Sequence, residues 1–303
     1  MAAESHSDPL AVEHLIGHVK DATYFHVPRA IKADEHINIP QITSGEPIIS
    51  FDDNFIEPFD LQITKFMLLQ VLSAVIITLL FCGLASRIKG GKLPKGRLWN
   101  MLEVMLLFIR DQVARPAIGK ADADRFMPFL WTIFFFVLGG NLLGMIPWLG
   151  SPTGALGTTG MLAFITFVVV VGGGMKKLGG VGFWKAQVPH MDLPGPMAVL
   201  IKPMVFVIEV LGLLIKHFVL SVRLLANMAA GHLVLAVLIA FIAAIAQQDF
   251  VTSYFSPAFI GVSGASIFGA TALSMLELFV AFLQAYIFTF LSALFIGMAV
   301  HPH

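Results

Sequence analysis

The sequence predicts an all-α membrane protein of about five transmembrane helices, two of them long and tilted, with an interfacial amphipathic helix and a polar N-terminal tail. Three observations carry this. Hydrophobic residues make up 57% of the 303 and charged residues only 13%, against about 25% charged in a soluble chain. The 38 Asp, Glu, Lys and Arg are unevenly placed, with 28 in residues 1–125 and 10 in residues 126–303. Apolar runs are long enough to cross a bilayer, for which ~20 residues at ~1.5 Å rise suffice. A typical soluble enzyme is excluded, because the charges cannot coat a water-facing surface. The zero net charge averages two unlike halves, and the single Cys82 permits no intrachain disulfide.

The tail, residues 1–62, holds eleven acids against Lys20, Arg29 and Lys32, a net charge of −8. It has no apolar core of signal-peptide length, and its acidity is opposite to a mitochondrial transit peptide, so it reads as a mature part of the chain. His6, His14, His18, His26 and His36 follow no metal-ligand spacing, and the tail is expected to be solvated.

Phe66–Ala85 is the first span. Arg87, Lys89, Lys92, Lys95 and Arg97 follow it, and basic loops stay cytoplasmic, so the tail is expected outside. Topology accounts for this cluster more economically than nucleic acid, and no nucleic-acid partner is expected. Arg97–Arg115 is amphipathic: Arg97, Glu103, Arg110 and Asp111 form a polar stripe opposite Leu98, Trp99, Leu102, Met105, Leu106 and Ile109. It is expected to lie along the cytoplasmic interface and to end at Arg115–Pro116. Met127–Pro147 is the second span, Trp148–Gly157 a turn, and Thr158–Met175 the third span, followed by Lys176 and Lys177. Residues 178–202, with several Gly and Pro, are expected to be an irregular connector. Pro203–Ala246 and Pro257–Val300 are 44 residues each, too long for one perpendicular span and without the turn that two would need. Tilt hides surplus length, so two long tilted helices are expected, joined by the polar Gln247–Ser256, with His303 inside.

Charges within the long helices carry the chemistry. Glu209, Lys216 and Arg223 are spaced by seven, which places them on nearly one helix face. Arg223 lies 21 residues after Lys202 and 26 before Asp249, too deep to snorkel to water. A charge there costs roughly 2.5–3.5 kcal/mol on insertion scales, so it must face protein, water or a partner. A buried Glu–Lys–Arg ion-pair ladder is the plain structural alternative. Asn227 shares the side of Arg223 one turn on. His232 is nine residues on, about half a turn around the helix, and faces elsewhere. Glu277 and Gln284 are seven apart on one face of the second long helix, with Tyr286 nearby. A carboxyl at that depth needs a cation, water or a proton, and such a set around one fixed arginine suits proton conduction.

The run Leu220-Ser-Val-Arg-Leu-Leu-Ala-Asn-Met-Ala-Ala-Gly-His-Leu233 resembles the signature of subunit a of F-type ATP synthases, Arg-Leu-x-x-Asn-Met-x-x-Gly. The likeness extends to Glu209 and Lys216, to Phe282-Leu-Gln-Ala-Tyr-Ile-Phe288 and to Asn141-Leu-Leu-Gly-Met-Ile-Pro147, covering roughly Leu61–Ala299. Many bacterial members carry Glu where this chain has His232 and His where it has Glu277. The paired exchange fits two residues that meet in space.

The resemblance implies the proton-translocating stator subunit of a bacterial inner-membrane rotary motor. Its partners would be a ring of c subunits, the subunit b stalk and the other ATP synthase subunits. Arg223 would be the fixed charge facing the ring carboxylates between two half-channels. Asn227, His232, Glu277 and Gln284 would line the polar access route, with Tyr286 close by and Glu209 and Lys216 further along. No cofactor, metal or catalytic residue is implied, and Gly172-Gly-Gly174 lacks the Lys-Ser/Thr of a phosphate loop. An ion-coupled secondary transporter is the alternative, but it should show internal repeats and broken helices. An intramembrane enzyme would need a nucleophile–base pair or a His-Glu-x-x-His site, and neither occurs.

Overall fold

The computed structural model describes residues 21–26, 36–40, 63–89, 96–146, 149–188, 195–246 and 257–301. Most of the acidic tail lies outside these residues, as do Lys92 and Lys95, Pro147, the joint Gln247–Ser256 and His303. The described chain is an all-α membrane protein apart from one small ladder. Five of its helices are long and apolar enough to cross a membrane.

Two compact units are formed. The first draws on Met1–Val75, Gly140–Ala155 and Asn227–Val280. In it, β1 (Tyr24–His26) pairs antiparallel with β2 (His36–Asn38), His26 opposite His36. The ladder is tied to the start of the first span: Lys65 N–H donates to Ala22 O at 2.9 Å and Ile39 N–H to Thr23 O at 2.9 Å. Asp21 Oδ1 accepts from the Phe66 N–H at 3.2 Å, a carboxylate at a helix N-terminus, where the exposed amides and the helix dipole favour it. That helix is α1, Lys65–Ile88. It is mostly exposed within the chain, with Val71 and Leu79 above 60%, as a lipid-facing span should be.

The second unit comprises Ile76–Gly139, Leu156–Ala226 and Ala281–His303. Here the end of α1 meets α2 (Arg97–Phe108), with the Arg87 guanidinium 4.6 Å over the Trp99 ring. A π-helical segment, Ile109–Ala114, and α3, Arg115–Ile118, continue α2. The helical run therefore continues past Arg115–Pro116 and ends at Gly119, whose φ of 95° a side chain would resist. The wider π turn absorbs the proline: Arg115 N–H reaches back to Arg110 O, so the register has already shifted where the ring would clash. Arg110 and Arg115 pair with Asp111 at 3.1 and 2.8 Å, and the Arg110 hydrogen bond holds that carboxyl below its ordinary range.

Helix α4 is Lys120–Gly144 and contains Pro128, so the second span begins seven residues before the expected Met127. A 3₁₀ turn at Pro152–Gly154 precedes α5, Leu156–Leu178. The connector is not wholly irregular, because α6 forms at Gly180–Ala186. Helix α7 starts at Gly195, not Pro203, and runs 52 residues to Ala246 with Pro203 inside. The missing proline N–H frees one carbonyl near the helix end, a loss that membrane helices tolerate, and the apolar run before it extends the helix. Helix α8 is Pro257–Val300, 44 residues, as expected. At ~1.5 Å per residue these are ~78 and ~66 Å long.

Candidate functional site

The buried face of α7 is drawn by His217, Leu220, Ser221, Leu224 and Met228, spacings of three and four that form one stripe. At ~100° per residue, Glu209, Lys216, Arg223 and Asn227 gather along one flank of this stripe, and His232 lies on the other. Arg223 is half-buried and makes no ion pair among the described residues. Lys216 is exposed and Glu209 half-buried, and neither pairs with the other or with Arg223. The ion-pair ladder is absent among the described residues. Instead Glu209 and Lys216 line a cavity of about 220 Å³ together with Leu213, Leu178, Gln187 and Phe295. A cavity with both charges in its wall can hold water at that depth.

In the second unit Ser221, two residues before Arg223, donates to Thr159 Oγ1 of α5 at 3.1 Å, with both residues buried. The hydroxyls let polar groups sit within the packed face beside Arg223. His217 is also buried, its ring 5.3 Å from that of Phe167 and 5.1 Å from that of Phe295. Its Nδ1 lies 2.8 Å from Leu213 O, while Nε2 has no partner among the described residues. Gln284 is 7% exposed. Tyr286 stacks on Phe290 at 5.9 Å and faces Phe108 at the same distance, in an aromatic rather than a charged setting.

In the first unit the structure brings Glu277 against the turn of α7 that carries His232. Glu277 is buried, 9% exposed. A Cβ at Gly231 would fall 2.9 Å from Glu277 Cδ and collide with Oε1. Glu277 thus fills the side-chain volume that Gly231 leaves vacant. His232, the next residue, has a buried Nε2 without a hydrogen-bond partner among the described residues. Glu277 lies against the residue before His232, and among the described residues the two side chains make no direct hydrogen bond. The His232 nitrogen needs a proton-bearing or water partner, since a buried orphaned polar atom is costly.

The motif at Asn141 has a structural place in the same unit. Asn141 Oδ1 accepts from Thr153 Oγ1 at 2.8 Å, and Thr153 Oγ1 lies 2.8 Å from Ser151 Oγ. All three are buried. A Cβ at Gly144 would fall 2.5 Å from Ser151 Cβ, so the glycine permits the turn to close on α4.

Sequence reasoning placed Gly231 in a motif without seeing its use, and it missed Thr159 and His217. Only Gly231 left a signal, since a glycine inside an apolar helix marks a close approach.

Fold and site together define a polytopic α-helical membrane protein with ionisable side chains embedded along two long helices. The family model described as ATP synthase A chain matches residues 67–297. The chain is similar to ATP synthase subunit a of Myxococcus xanthus, at 39% identity over 290 residues covering 94% of this chain and 88% of that one. It is also similar to ATP synthase subunit a of Chloroherpeton thalassium, at 37% over 280 residues covering 91% and 78%. The chain belongs to the ATP synthase A chain family.

Proposed function

We propose that the chain is the proton-translocating stator subunit of the F-type ATP synthase membrane sector. It forms two half-channels that pass protons to and from a rotating ring of c subunits, and it is held by the subunit b stalk and the other ATP synthase subunits. It carries ions and performs no bond-making chemistry. In a bacterial inner membrane its acidic tail lies outside, and the ends near Lys176 and Lys177 lie on the cytoplasmic side.

The observation that carries this reading is Arg223. A guanidinium in the middle of a 52-residue apolar helix, half-buried and without an anionic partner among the described residues, requires an anion from elsewhere. A carboxylate on a passing ring helix supplies it. Arg223 stabilises that carboxylate while ionised, and it repels protons that would leak straight between the half-channels. Around it Asn227, His232, Glu277, Gln284 and Tyr286 serve proton access, and Glu209 and Lys216 wet the second route through their cavity.

The test replaces Arg223. Guanidinium stays protonated and meets a carboxylate through two donors, whereas a desolvated lysine can lose its proton. Arg223→Lys and Arg223→Ala should both abolish proton-driven ATP synthesis in inverted vesicles while the complex still copurifies. The alanine variant should also leak protons passively. Normal synthesis by an assembled Arg223→Lys complex would sink the gating role.

A further inference from the structure

Three helix ends of the second unit converge on one carboxylate. Asp122 at the start of α4 pairs with Lys177 Nζ at the end of α5. Its Oδ2 also lies 3.1 Å from the Nε2 of His301, which follows α8. The Nε2 in turn lies 3.4 Å from Lys177 Nζ. Close packing sets this arrangement. Gly297 of α8 meets the backbone of α3, where a Cβ would fall 3.0 Å from the Ala117 carbonyl carbon, and His301 N–H donates to Gly297 O at 2.9 Å. The side chains keep water access, with exposures of 26%, 35% and 53% for Asp122, Lys177 and His301. The ends of α5 and α8 that carry Lys177 and His301 also contribute Leu178, Met298 and Ala299 to the wall of the Glu209–Lys216 cavity.

We propose that Asp122, Lys177 and His301 form a proton-exchange site beside the α5 and α8 ends that line the Glu209–Lys216 cavity, a reading that rests on the function proposed above. An imidazole nitrogen can either accept or donate a hydrogen bond, and His301 has a neighbour for each role. Neutral Nε2 accepts from the Lys177 ammonium. Protonated Nε2–H donates to the Asp122 carboxylate. The N–H bond forms with a proton from water or buffer and breaks when the proton passes to cavity water. Among the described residues, the charged groups facing His301 are Asp122 from α4 and Lys177 from α5. The nearby Asp124 lies toward Arg115, at 4.0 Å.

The experiment uses the complete synthase in inverted vesicles and measures ATP-driven proton pumping while the outer medium goes from weakly to strongly buffered. His301→Gln keeps a donor toward Asp122 but has no ring nitrogen to take up and hand on a proton. It should match the parent in strong buffer, fall several-fold behind in weak buffer, and recover when imidazole is added as a mobile carrier. Equal rates at every buffer strength, or a loss that buffer does not relieve, would overturn the exchange site, the second outcome marking a purely structural clasp. If His301→Gln does not assemble, Asp122→Asn is judged by the same two outcomes. A parent complex that pumps nothing in any buffer would instead overturn the function on which the site rests.

Discussion

Gly231 on α7 and Glu277 on α8 share one volume: the carboxylate sits where a side chain at 231 would begin. The relationship explains how a carboxyl enters a helix–helix contact between apolar surfaces, because a glycine on the facing helix leaves room for it. It also makes the position of Glu277 depend on an atom that is not there.

Gly231→Ala should therefore displace the Glu277 carboxylate and lower proton-driven ATP synthesis at least tenfold, equivalent to ~1.4 kcal/mol in barrier, with assembly retained. Gly212 lies on the same helix, and a Cβ there would meet nothing within 4 Å, so Gly212→Ala should be near neutral. Shortening the acid with Glu277→Asp in the Gly231→Ala background should return part of the rate. Equal activity of the two alanine variants would show that the volume is not functionally shared.

The pairing of His232 with Glu277 gives a second outcome. His232→Glu alone sets two carboxyls in one neighbourhood, where they cannot both ionise freely, and proton passage should fall. Adding Glu277→His should restore part of it. Additive losses in the double variant, read as proton uptake by vesicles, would mean that the two residues act independently.

The Asn141–Thr153–Ser151 network should matter for stability more than for flux. Asn141→Leu leaves the buried Thr153 hydroxyl with one partner fewer and should cost about 1–3 kcal/mol. The thermal midpoint of the detergent-solubilised complex should drop accordingly. Thr153→Val removes the other half of the same bond, so the double variant should lose less than the two single losses combined.

Topology follows from the basic segments. With Cys82 replaced by serine, a cysteine introduced at Thr23 should react with an impermeant thiol reagent from outside intact cells, and one at Lys92 should not. Labelling of position 23 only after cell disruption would reverse the orientation.

The spans and the two long helices were legible in the sequence, because bilayer thickness acts on local composition. Helix ends were less legible. Pro116 read as a helix end and Pro203 as a helix start, but a π turn absorbs the first and the membrane tolerates the second, and both outcomes depend on backbone beyond a short window. Spacing could place Glu209, Lys216 and Arg223 on one flank, but it could not say whether they pair. Tertiary structure decided that they do not, by opening a cavity beside the first two and leaving Arg223 without an anion among the described residues. Only the packing of α8 on α7 decided that Glu277 lodges at Gly231 beside an orphaned His232 nitrogen. Likewise it joined Asp122, Lys177 and His301, which are 55 and 124 residues apart in pairs. Periodicity reports which face of a helix a residue occupies, whereas the neighbour it meets there is set by contacts between segments distant in the chain.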